Sequence, residues 1–247
     1  MSFRDLHFHG EPLVLPNAWD AASARIIEQA GAVAVATTSA GVAWSLGAPD
    51  GNRLRREDAI AAVARIVRAV DVPVTADIES GYGDVGATVR DVVAAGAVGI
   101  NIEDGAHRQV QRIVDARAAT GDALFINARI DTFLFGDGDL DETVSRAAAY
   151  LDAGADGIFV PGVVEPGVVA ELVERIPAPL NIMAGPGAPS VAELGKLGVR
   201  RISVGPAITV AAYEATARAA AELLAHGTYD LTAVELTHGD LNAAFAH

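Results

Sequence analysis

The stretch DAGADGIFV, residues 152–160, joins an alanine-rich amphipathic run to a short apolar run. Its glycine, Gly154, can adopt the left-handed conformation that ends a helix, and the chain can re-enter a strand two or three residues later. Three stretches repeat this arrangement: QAGAVAVA, AAGAVGINI and KLGVRRISV, with glycines at Gly31, Gly96 and Gly198. The repeated unit is helix, glycine, strand.

Weaker copies of this unit bring the number of predicted strands to eight. Eight strand-then-helix units in 247 residues predict an α/β fold of the (β/α)8 TIM barrel type, whose parallel strands are apolar on both faces. The alternative is a doubly wound open sheet, which has a glycine-rich first turn that this sequence lacks. The predicted strands are residues 13–16, 33–37, 74–77, 99–103, 124–129, 157–160, 180–183 and 201–204, with helices that include 56–70, 85–95, 141–153 and 190–197.

Composition limits the class of protein and of partner. With 51% hydrophobic residues, the chain can bury a large core as one domain. The 32 acidic and 18 basic residues give a formal charge of −14, which disfavours nucleic acid and anionic membranes as partners. There is no cysteine, so disulfides, thiolate metal sites and cysteine nucleophiles are excluded. The first residues lack a signal-peptide core, and we expect a cytoplasmic protein.

The C-terminal part is longer than a barrel requires. We predict one barrel domain over residues 1–247, in which residues 207–247 form a helical extension that packs on a neighbouring subunit. The histidines nearest the termini are expected to be solvated, and they are His7, His9, His226, His238 and His247.

Acidic residues follow several of the predicted strands. Loops at the C-terminal ends of barrel strands build the active site, and Asp77, Glu79 and Glu103 fall there. Crowded acids need a cation among them, and oxygen ligands without histidine or cysteine suit Mg²⁺, with Mn²⁺ as an alternative. The planar fork of Arg129 could bind a substrate carboxylate or phosphonate. These residues predict a site for a small anion that carries an oxygen donor.

Structural roles remain open for the same residues. Asp77 could form a structural ion pair, Glu79 could be a solvated loop acid, and Arg129 could simply pair with Asp131. The segment AGPGAPS, residues 184–190, could cradle an anion or form a turn and helix cap.

Six successive motifs carry a resemblance to a known family: PLVLPNAWDAASARI, TTSAGVAWSLGAPDGN, VPVTADIESGYGD, GINIEDG, INARIDTF and DGIFVPG. In this order and spacing, from residue 3 to about residue 211, the chain resembles the isocitrate lyase/phosphoenolpyruvate mutase superfamily. The resemblance implies an eight-stranded barrel, Mg²⁺ and a dimer or tetramer in which C-terminal helices are exchanged. It also implies cleavage or formation of C–C or P–C bonds next to an α-oxo acid, through an enolate-like intermediate.

The resemblance also implies roles for individual residues. Asp77 corresponds to the direct metal ligand, and three acids correspond to those that hold metal-bound waters. Ser39 and the loop after it correspond to the segment that grips the oxo-acid carboxylate, while Arg129 corresponds to the substrate-binding arginine. Trp19 corresponds to a residue of the pocket wall. The three acids are Asp50, Glu79 and Glu103, and the loop continues through Ala40 and Gly41.

Departures from the family pattern narrow the activity. The lyases that act on isocitrate and methylisocitrate use a cysteine as general acid, and this chain has none. The gating segment after Glu103 is short, the position after the sixth predicted strand is Pro161 instead of histidine, and the metal motif reads Asp-x-Glu. In the absence of cysteine, water or His107 is the predicted proton donor.

We therefore predict a Mg²⁺-dependent lyase that cleaves a C–C bond of a small α-oxo or 2-hydroxy carboxylic acid, by retro-aldol cleavage or decarboxylation. One alternative is a P–C bond enzyme, a phosphonopyruvate hydrolase or phosphoenolpyruvate mutase. Others are a non-catalytic oxo-acid binding protein and an aldolase that joins pyruvate to aldehydes.

Overall fold

Within residues 2–135 and 139–246, which the computed structural model describes, nine parallel strands form one sheet that curls into a nearly closed barrel. Helices separate most successive strands and cover the outside. The predicted α/β barrel is therefore confirmed. The strands are β1 (Leu13–Leu15), β2 (Asn17–Ala18), β3 (Val35–Thr37), β4 (Val74–Asp77), β5 (Gly99–Glu103), β6 (Phe125–Arg129), β7 (Gly157–Val160), β8 (Leu180–Met183) and β9 (Arg201–Ser203).

The barrel has one strand more than predicted because its first strand is divided. β1 pairs with β9 and β2 pairs with β3, and Pro16 lies between the two pieces. Proline has no N–H to donate, so it interrupts the strand that the sequence predicts over residues 13–16. The strand predicted over residues 33–37 begins two residues later, at Val35. Four predicted strands, those that became β4, β5, β7 and β8, have the predicted bounds.

The predicted helices are present and differ by about one residue at their ends. The helix predicted over residues 190–197 is shorter because Ser190 is its N-cap and lies outside it. The Ser190 hydroxyl donates to the Glu193 carboxylate at 2.7 Å, and Ser190 Oγ accepts the Glu193 N–H at 3.3 Å. The helices are α1 (Ala21–Gln29), α2 (Ser39–Ser45), α3 (Arg56–Ala69), α4 (Val85–Ala94), α5 (Val110–Thr120), α6 (Thr132–Phe135), α7 (Leu140–Asp152), α8 (Pro166–Arg175), α9 (Val191–Lys196), α10 (Ala207–His226) and α11 (His238–Ala244), with 3-10 turns at Asp5–His7 and Asp230–Thr232.

The four glycines of the repeated unit have the predicted conformation. Gly31, Gly96, Gly154 and Gly198 have φ angles of 99°, 93°, 105° and 97°, in the left-handed region that favours glycine. Each lies two residues after the last residue of a helix and leads to the next strand. The helix, glycine, strand unit is therefore the device that turns the chain back into the barrel.

The middle of the barrel interior is polar. Asn127 Nδ2 donates to Asn101 Oδ1 at 2.9 Å and to Asn181 Oδ1 at 3.1 Å. Arg201, which is 1% exposed, donates from Nη2 to the same Asn101 oxygen at 2.9 Å. Alternate residues of a strand share a face, so the residues two positions after these asparagines on β5 and β6 lie above them at the mouth.

The base of the barrel holds the one clear error among the histidine predictions. His7 is fully buried, stacked on the Phe125 ring with centroids 3.8 Å apart, and its Nδ1 lies 3.0 Å from the Phe3 carbonyl oxygen. The histidines His9, His226 and His238 are exposed as predicted, and His247 lies outside the described residues. His7 was predicted to be solvated because it is near the N-terminus. The Asp5–His7 turn instead places it under the barrel.

In the described ranges, every helix is too short or too polar to cross a membrane. The cytoplasmic location stays a prediction.

Candidate active site

The strand predicted over residues 74–77 is β4 in the structure, and it ends in an acid, Asp77. The Asp77 backbone N–H donates to Thr37 Oγ1 at 2.8 Å, which ties the end of β4 to that of β3. Asp77 Oδ1 accepts the backbone N–H of Glu79 at 3.0 Å. Within the described ranges, this is the carboxylate's only hydrogen bond, so it retains capacity for another ligand.

Glu79 lies in a turn with unusual backbone conformations. Asn52, Glu79 and Tyr82 have φ angles of 59°, 51° and 49°, which non-glycine residues adopt rarely and at a cost. The Glu79 carboxylate accepts a hydrogen bond from the Tyr82 hydroxyl at 3.0 Å and a short one from the Asn52 backbone N–H. Glu79 is thus a buried, held acid and not a solvated loop residue. Asn52 and Tyr82 were not predicted; a polar residue after Asp-Gly and a tyrosine between glycines are the available signals.

Arg129, the last residue of β6, is held from two sides. Its Nη1 lies 2.8 Å from Glu103 Oε2, and its Nε donates to Asp131 Oδ1 at 2.6 Å. Asp131 is fully buried, and its other oxygen has no partner among the described residues. The guanidinium carbon lies 5.9 Å from the centroid of the Phe159 ring. We call the group Asp77, Glu79, Glu103, Arg129 and Asp131 the mouth cluster.

Burial and mutual repulsion disfavour ionisation of the acids in the mouth cluster. Burial raises the pKa of Asp77 to about 6, against the Arg129 charge that lowers it. Burial raises the pKa of Glu103 to about 8, again opposed by Arg129, with the Asp77 charge adding to the increase. The pKa values of Glu79 and Asp131 are also raised by burial. One arginine does not balance the four acids.

The Ser39 loop is the first turn of α2, which begins at the mouth next to β3. Ser39, Ala40 and Gly41 are buried. The first N–H groups of a helix have no partner within it, and no side chain of the described residues caps α2. A Cβ on Gly41 would lie 2.8 Å from Trp19 Cβ and 2.6 Å from Thr209 Oγ1. Gly41 therefore lets α2 pack closely against the wall that includes Trp19.

Two predicted residues lie apart from the mouth cluster. Asp50 is exposed, although its charge is near enough to raise the pKa values of Asp77 and Glu79. His107 is exposed in the segment between β5 and α5, and no hydrogen bond or ion pair joins it to the mouth cluster in the described part of the chain. Pro161 is buried directly after β7.

A second charged group lies beside the mouth cluster, and two of its members, Arg146 and Tyr150, were not predicted from the sequence. Asp104 Oδ2 accepts hydrogen bonds from Arg146 Nη1 at 3.0 Å and from the Tyr150 hydroxyl at 2.7 Å. Asp104 Oδ1 accepts the backbone N–H of Asp131 at 3.0 Å. We call Asp104, Arg146 and Tyr150 the Asp104 clamp, because it fixes the segment that follows Arg129.

The mouth offers oxygen donors for a cation but no complete ligand set. Across residues 2–135 and 139–246, no three histidine, aspartate or glutamate side chains are grouped so that they could hold a metal ion by themselves. Mg²⁺ needs only one or two direct carboxylates, since it keeps several of its waters. The donor set therefore fits a hydrated magnesium ion, with Asp77 as the least engaged acid.

Comparisons with known proteins identify relatives of this chain. The family model for phosphoenolpyruvate phosphomutase matches residues 3–224. An uncharacterized protein of Mycobacterium tuberculosis (strain ATCC 25618 / H37Rv) is 42% identical over 231 residues, covering 89% of this chain and 88% of that protein. An oxaloacetate decarboxylase of Ectopseudomonas mendocina (strain ymp) is 32% identical over 212 residues, covering 78% and 73%. A crystal structure of a candidate lyase/mutase from Burkholderia cenocepacia J2315 superposes with a TM-score of 0.92 at 40% identity, covering 99% and 95%. The chain belongs to the phosphoenolpyruvate phosphomutase family, within the superfamily of lyases and mutases that includes isocitrate lyase and phosphoenolpyruvate mutase.

Proposed function

We propose that this chain is a divalent-cation-dependent lyase that cleaves a carbon–carbon bond next to the carbonyl group of a small 2-oxo acid, by decarboxylation. The observation that carries the proposal is the charge imbalance of the mouth cluster. The cluster contains four acids and one arginine, and a second buried arginine, Arg201, is influenced by the Asp77 charge, so the acids still outnumber the cations. Burial raises the pKa of each acid. A site of this kind favours a cation, and a bound cation together with Arg129 favours a chelating anion.

Mg²⁺ is the cation that the donor set suits best, and Mn²⁺ is the alternative. Asp77 would bind it directly, while Asp50, Glu79 and Glu103 would hold its waters. A cation held there would supply positive charge beside the oxo-acid oxygens and so stabilise the negative charge that develops during cleavage.

The remaining residues of the mouth would hold and orient the substrate. The Ser39 loop, whose first N–H groups have no partner among the described residues, would bind the C1 carboxylate, and Trp19 would form the adjacent wall. Arg129 would bind a second substrate oxygen through Nη2, which donates to no described residue. Glu103 and Asp131 keep the guanidinium in one orientation, so its position is set before the substrate arrives.

Decarboxylation demands the least of these side chains. In a substrate of the oxaloacetate type, the C3–C4 bond breaks, C4 leaves as CO2 and the electron pair forms the C2–C3 enolate, which takes a proton from water at C3. Retro-aldol cleavage needs a base that removes a hydroxyl proton at the start, whereas decarboxylation does not. The similarity to an oxaloacetate decarboxylase supports the same choice.

The proposal is tested by incubating the protein with Mg²⁺ and a panel of acids, followed by proton and phosphorus NMR. The panel contains oxaloacetate, phosphonopyruvate, 2-hydroxy diacids, and pyruvate with aldehydes. We expect pyruvate from oxaloacetate above the rate without protein, abolished by EDTA and by Asp77→Asn. The control is Asp115→Asn, which removes an exposed acid on α5 and should leave the rate unchanged.

Other results would contradict the proposal in distinct ways. Phosphate release from phosphonopyruvate would indicate a P–C bond enzyme, and aldehyde-dependent loss of pyruvate would indicate an aldolase. Broadening of oxo-acid signals by the wild type without turnover would indicate a binding protein.

We also propose that the protein is a homo-oligomer in which α10 packs on a neighbouring copy. Thr209 is the one buried residue of this helix, and Leu223 and Leu224 are 54% and 87% exposed. An apolar cavity of about 650 Å³ beside β1 and α1 is lined by residues that include Val14 and Ile26. Light scattering should give the molar mass of a dimer or tetramer for the wild type, and Leu224→Asp should shift the mass toward that of a monomer. A monomeric wild type would exclude the packing of α10 on a neighbouring copy.

A further inference from the structure

The part of the mouth formed by β7, β8 and β9 is apolar. A cavity of about 390 Å³ opens there between the loops that follow these three strands. None of the described residues that line it is charged or a histidine. Its lining includes Gly162, Val164, Met183, Ala184, Pro186 and Val204.

The strand register connects this cavity to the mouth cluster. Arg129 is paired with Phe159 on β7, and the Phe159 ring lies under the guanidinium group. Phe159 is paired with Asn181 on β8, and Met183 follows two residues later on the same face. A Cβ on Gly205 would lie 2.6 Å from Met183 Sδ, so the loop after β9 closes against Met183. The cavity therefore begins at the loop after β7, the strand that neighbours β6 and its last residue, Arg129.

We propose that this cavity is a substrate subsite for an alkyl group on C3 of the 2-oxo acid, an inference that rests on the proposed function. A second carboxylate in the cavity would lose its water without gaining a cation. An alkyl group would instead gain from the removal of apolar surface from water. The substrate class is then a 3-alkyl-substituted 2-oxo diacid, and its decarboxylation gives CO2 and a longer-chain 2-oxo acid.

A second cavity adjoins the apolar cavity and allows the alkyl subsite to be checked. It shares Val164 and Ala188 with the apolar cavity and is also lined by Lys196, which is exposed. If a distal carboxylate were bound in this direction, Lys196 would be its partner. The proposal predicts that Lys196 has no part in substrate choice.

Binding of the product-like acids tests the proposal without turnover. Isothermal titration in Mg²⁺ would compare pyruvate, 2-oxobutanoate and 2-oxopentanoate, which carry hydrogen, methyl and ethyl on C3. We expect Kd to fall about fourfold with each added carbon. The matched pair is 2-oxopentanoate and 2-oxoglutarate, which have the same number of carbons and differ in a terminal methyl or carboxylate group. The 2-oxoglutarate should bind roughly tenfold more weakly or worse.

Variants of the lining identify where the preference arises. Val164→Lys should reverse the order of the matched pair by placing a cation in the cavity. Ala188→Lys, on the shared wall, should do the same and stands in if the first variant does not fold. Lys196→Met is the control and should leave both constants unchanged.

The outcomes separate the two proposals. If pyruvate binds in a Mg²⁺-dependent manner but Kd is flat across the series, or 2-oxoglutarate binds more tightly, the subsite is wrong and the proposed function stands. If pyruvate does not bind and oxaloacetate is not turned over, the proposed function fails and the subsite fails with it. A falling Kd that is unaffected by Val164→Lys and Ala188→Lys would place the alkyl group elsewhere and also overturn the subsite.

Discussion

The mouth cluster and the Asp104 clamp are adjacent groups of acids and arginine that differ in how well their charges are matched. In the clamp, each oxygen of Asp104 accepts a hydrogen bond, and Arg146 completes its contacts with Glu142 Oε1 at 2.7 Å. In the mouth cluster, four acids share one arginine, and Asp131 Oδ2 has no partner in the described residues.

This difference separates a group that stabilises the fold from one that is prepared for a ligand. Buried charges whose hydrogen bonds are complete hold a structure in place, and removing one partner leaves the other uncompensated. Buried charges that are incompletely matched cost stability in the absence of ligand, which is typical of functional sites. The two groups should therefore respond in opposite ways to the same substitution.

Asp77→Asn should cause the greatest loss of activity and should not destabilise the fold. Removing the charge while keeping the shape should lower turnover of oxaloacetate by roughly 10³-fold, because the cation loses its direct carboxylate. The free protein should become more stable by about 1 to 2 kcal/mol, since one repelling charge leaves the cluster. Turnover, Mg²⁺ titration and urea unfolding check both parts, and a variant that is less stable and still active would contradict the contrast.

Asp104→Asn should show the reverse pattern. Arg146 would lose a charged partner in a buried position, and we expect a loss of about 3 kcal/mol in the free energy of unfolding. Turnover should fall much less than in Asp77→Asn when measured well below the unfolding temperature. Glu142→Gln, which removes the more exposed partner of Arg146, is the matched control and should cost under about 1 kcal/mol. If both variants cost the same, the clamp is not a matched buried pair.

The two groups also differ in how visible they are in the sequence. Asp77, Glu103 and Arg129 each end a strand, and the ends of parallel strands meet at one edge, so their proximity follows from the fold prediction. Arg146 and Tyr150 lie 42 and 46 residues after Asp104, on α7. Their spacing matches any amphipathic helix, and only the packing of that helix brings them to Asp104.

Local backbone conformation also limited what could be predicted from the sequence. Four strands had the predicted bounds, and two of them, β5 and β7, follow a glycine that ends a helix. Pro16 divided the first strand in a way that its apolar pattern did not indicate. The left-handed backbone at Asn52, Glu79 and Tyr82 depends on contacts among these residues, so spacing alone did not show that Glu79 is buried. The apolar cavity of the mouth was missed because its loops, rich in glycine and proline, have the composition of ordinary turns.

The base of the barrel contains a third buried titratable group, His7, which lies outside both the mouth cluster and the Asp104 clamp. Burial, with the nearby Arg201 charge, lowers the pKa of His7 to about 3 from its usual 6.5, so His7 is neutral in the folded protein at neutral pH. The unfolded chain binds a proton at His7 below about pH 6.5 while the folded protein does not, so the contribution of His7 to stability is lost as the pH falls. This contribution should be a loss of about 2 kcal/mol between about pH 7 and pH 5, while the raised pKa values of Asp77 and Glu103 act in the opposite direction.

Urea unfolding of the wild type and of His7→Asn at several pH values would isolate this contribution. His7→Asn keeps a donor for the Phe3 carbonyl and removes the titration, so between pH 7 and pH 5 its stability should rise by about 2 kcal/mol relative to that of the wild type. Equal slopes in the two proteins would mean that His7 is protonated in the folded state as readily as in the unfolded chain.

Tyr150→Phe should cause the mildest change, and it tests what the tyrosine hydroxyl contributes to the Asp104 clamp. The hydroxyl donates to Asp104 Oδ2 and accepts the Gln109 backbone N–H at 2.9 Å. Its removal therefore takes one hydrogen bond from the Asp104 carboxylate and one from the Gln109 N–H. Asp104 would retain Arg146 and the Asp131 N–H, and we expect a loss of about 1.5 kcal/mol in the free energy of unfolding. Because Asp104 orients the segment after Arg129, KM should rise by roughly twofold to threefold with little change in kcat. Combining Tyr150→Phe with Asp104→Asn should cost less than the sum of the two, since both remove the same bond. A strictly additive pair would mean that the hydroxyl acts through Gln109 and not through Asp104.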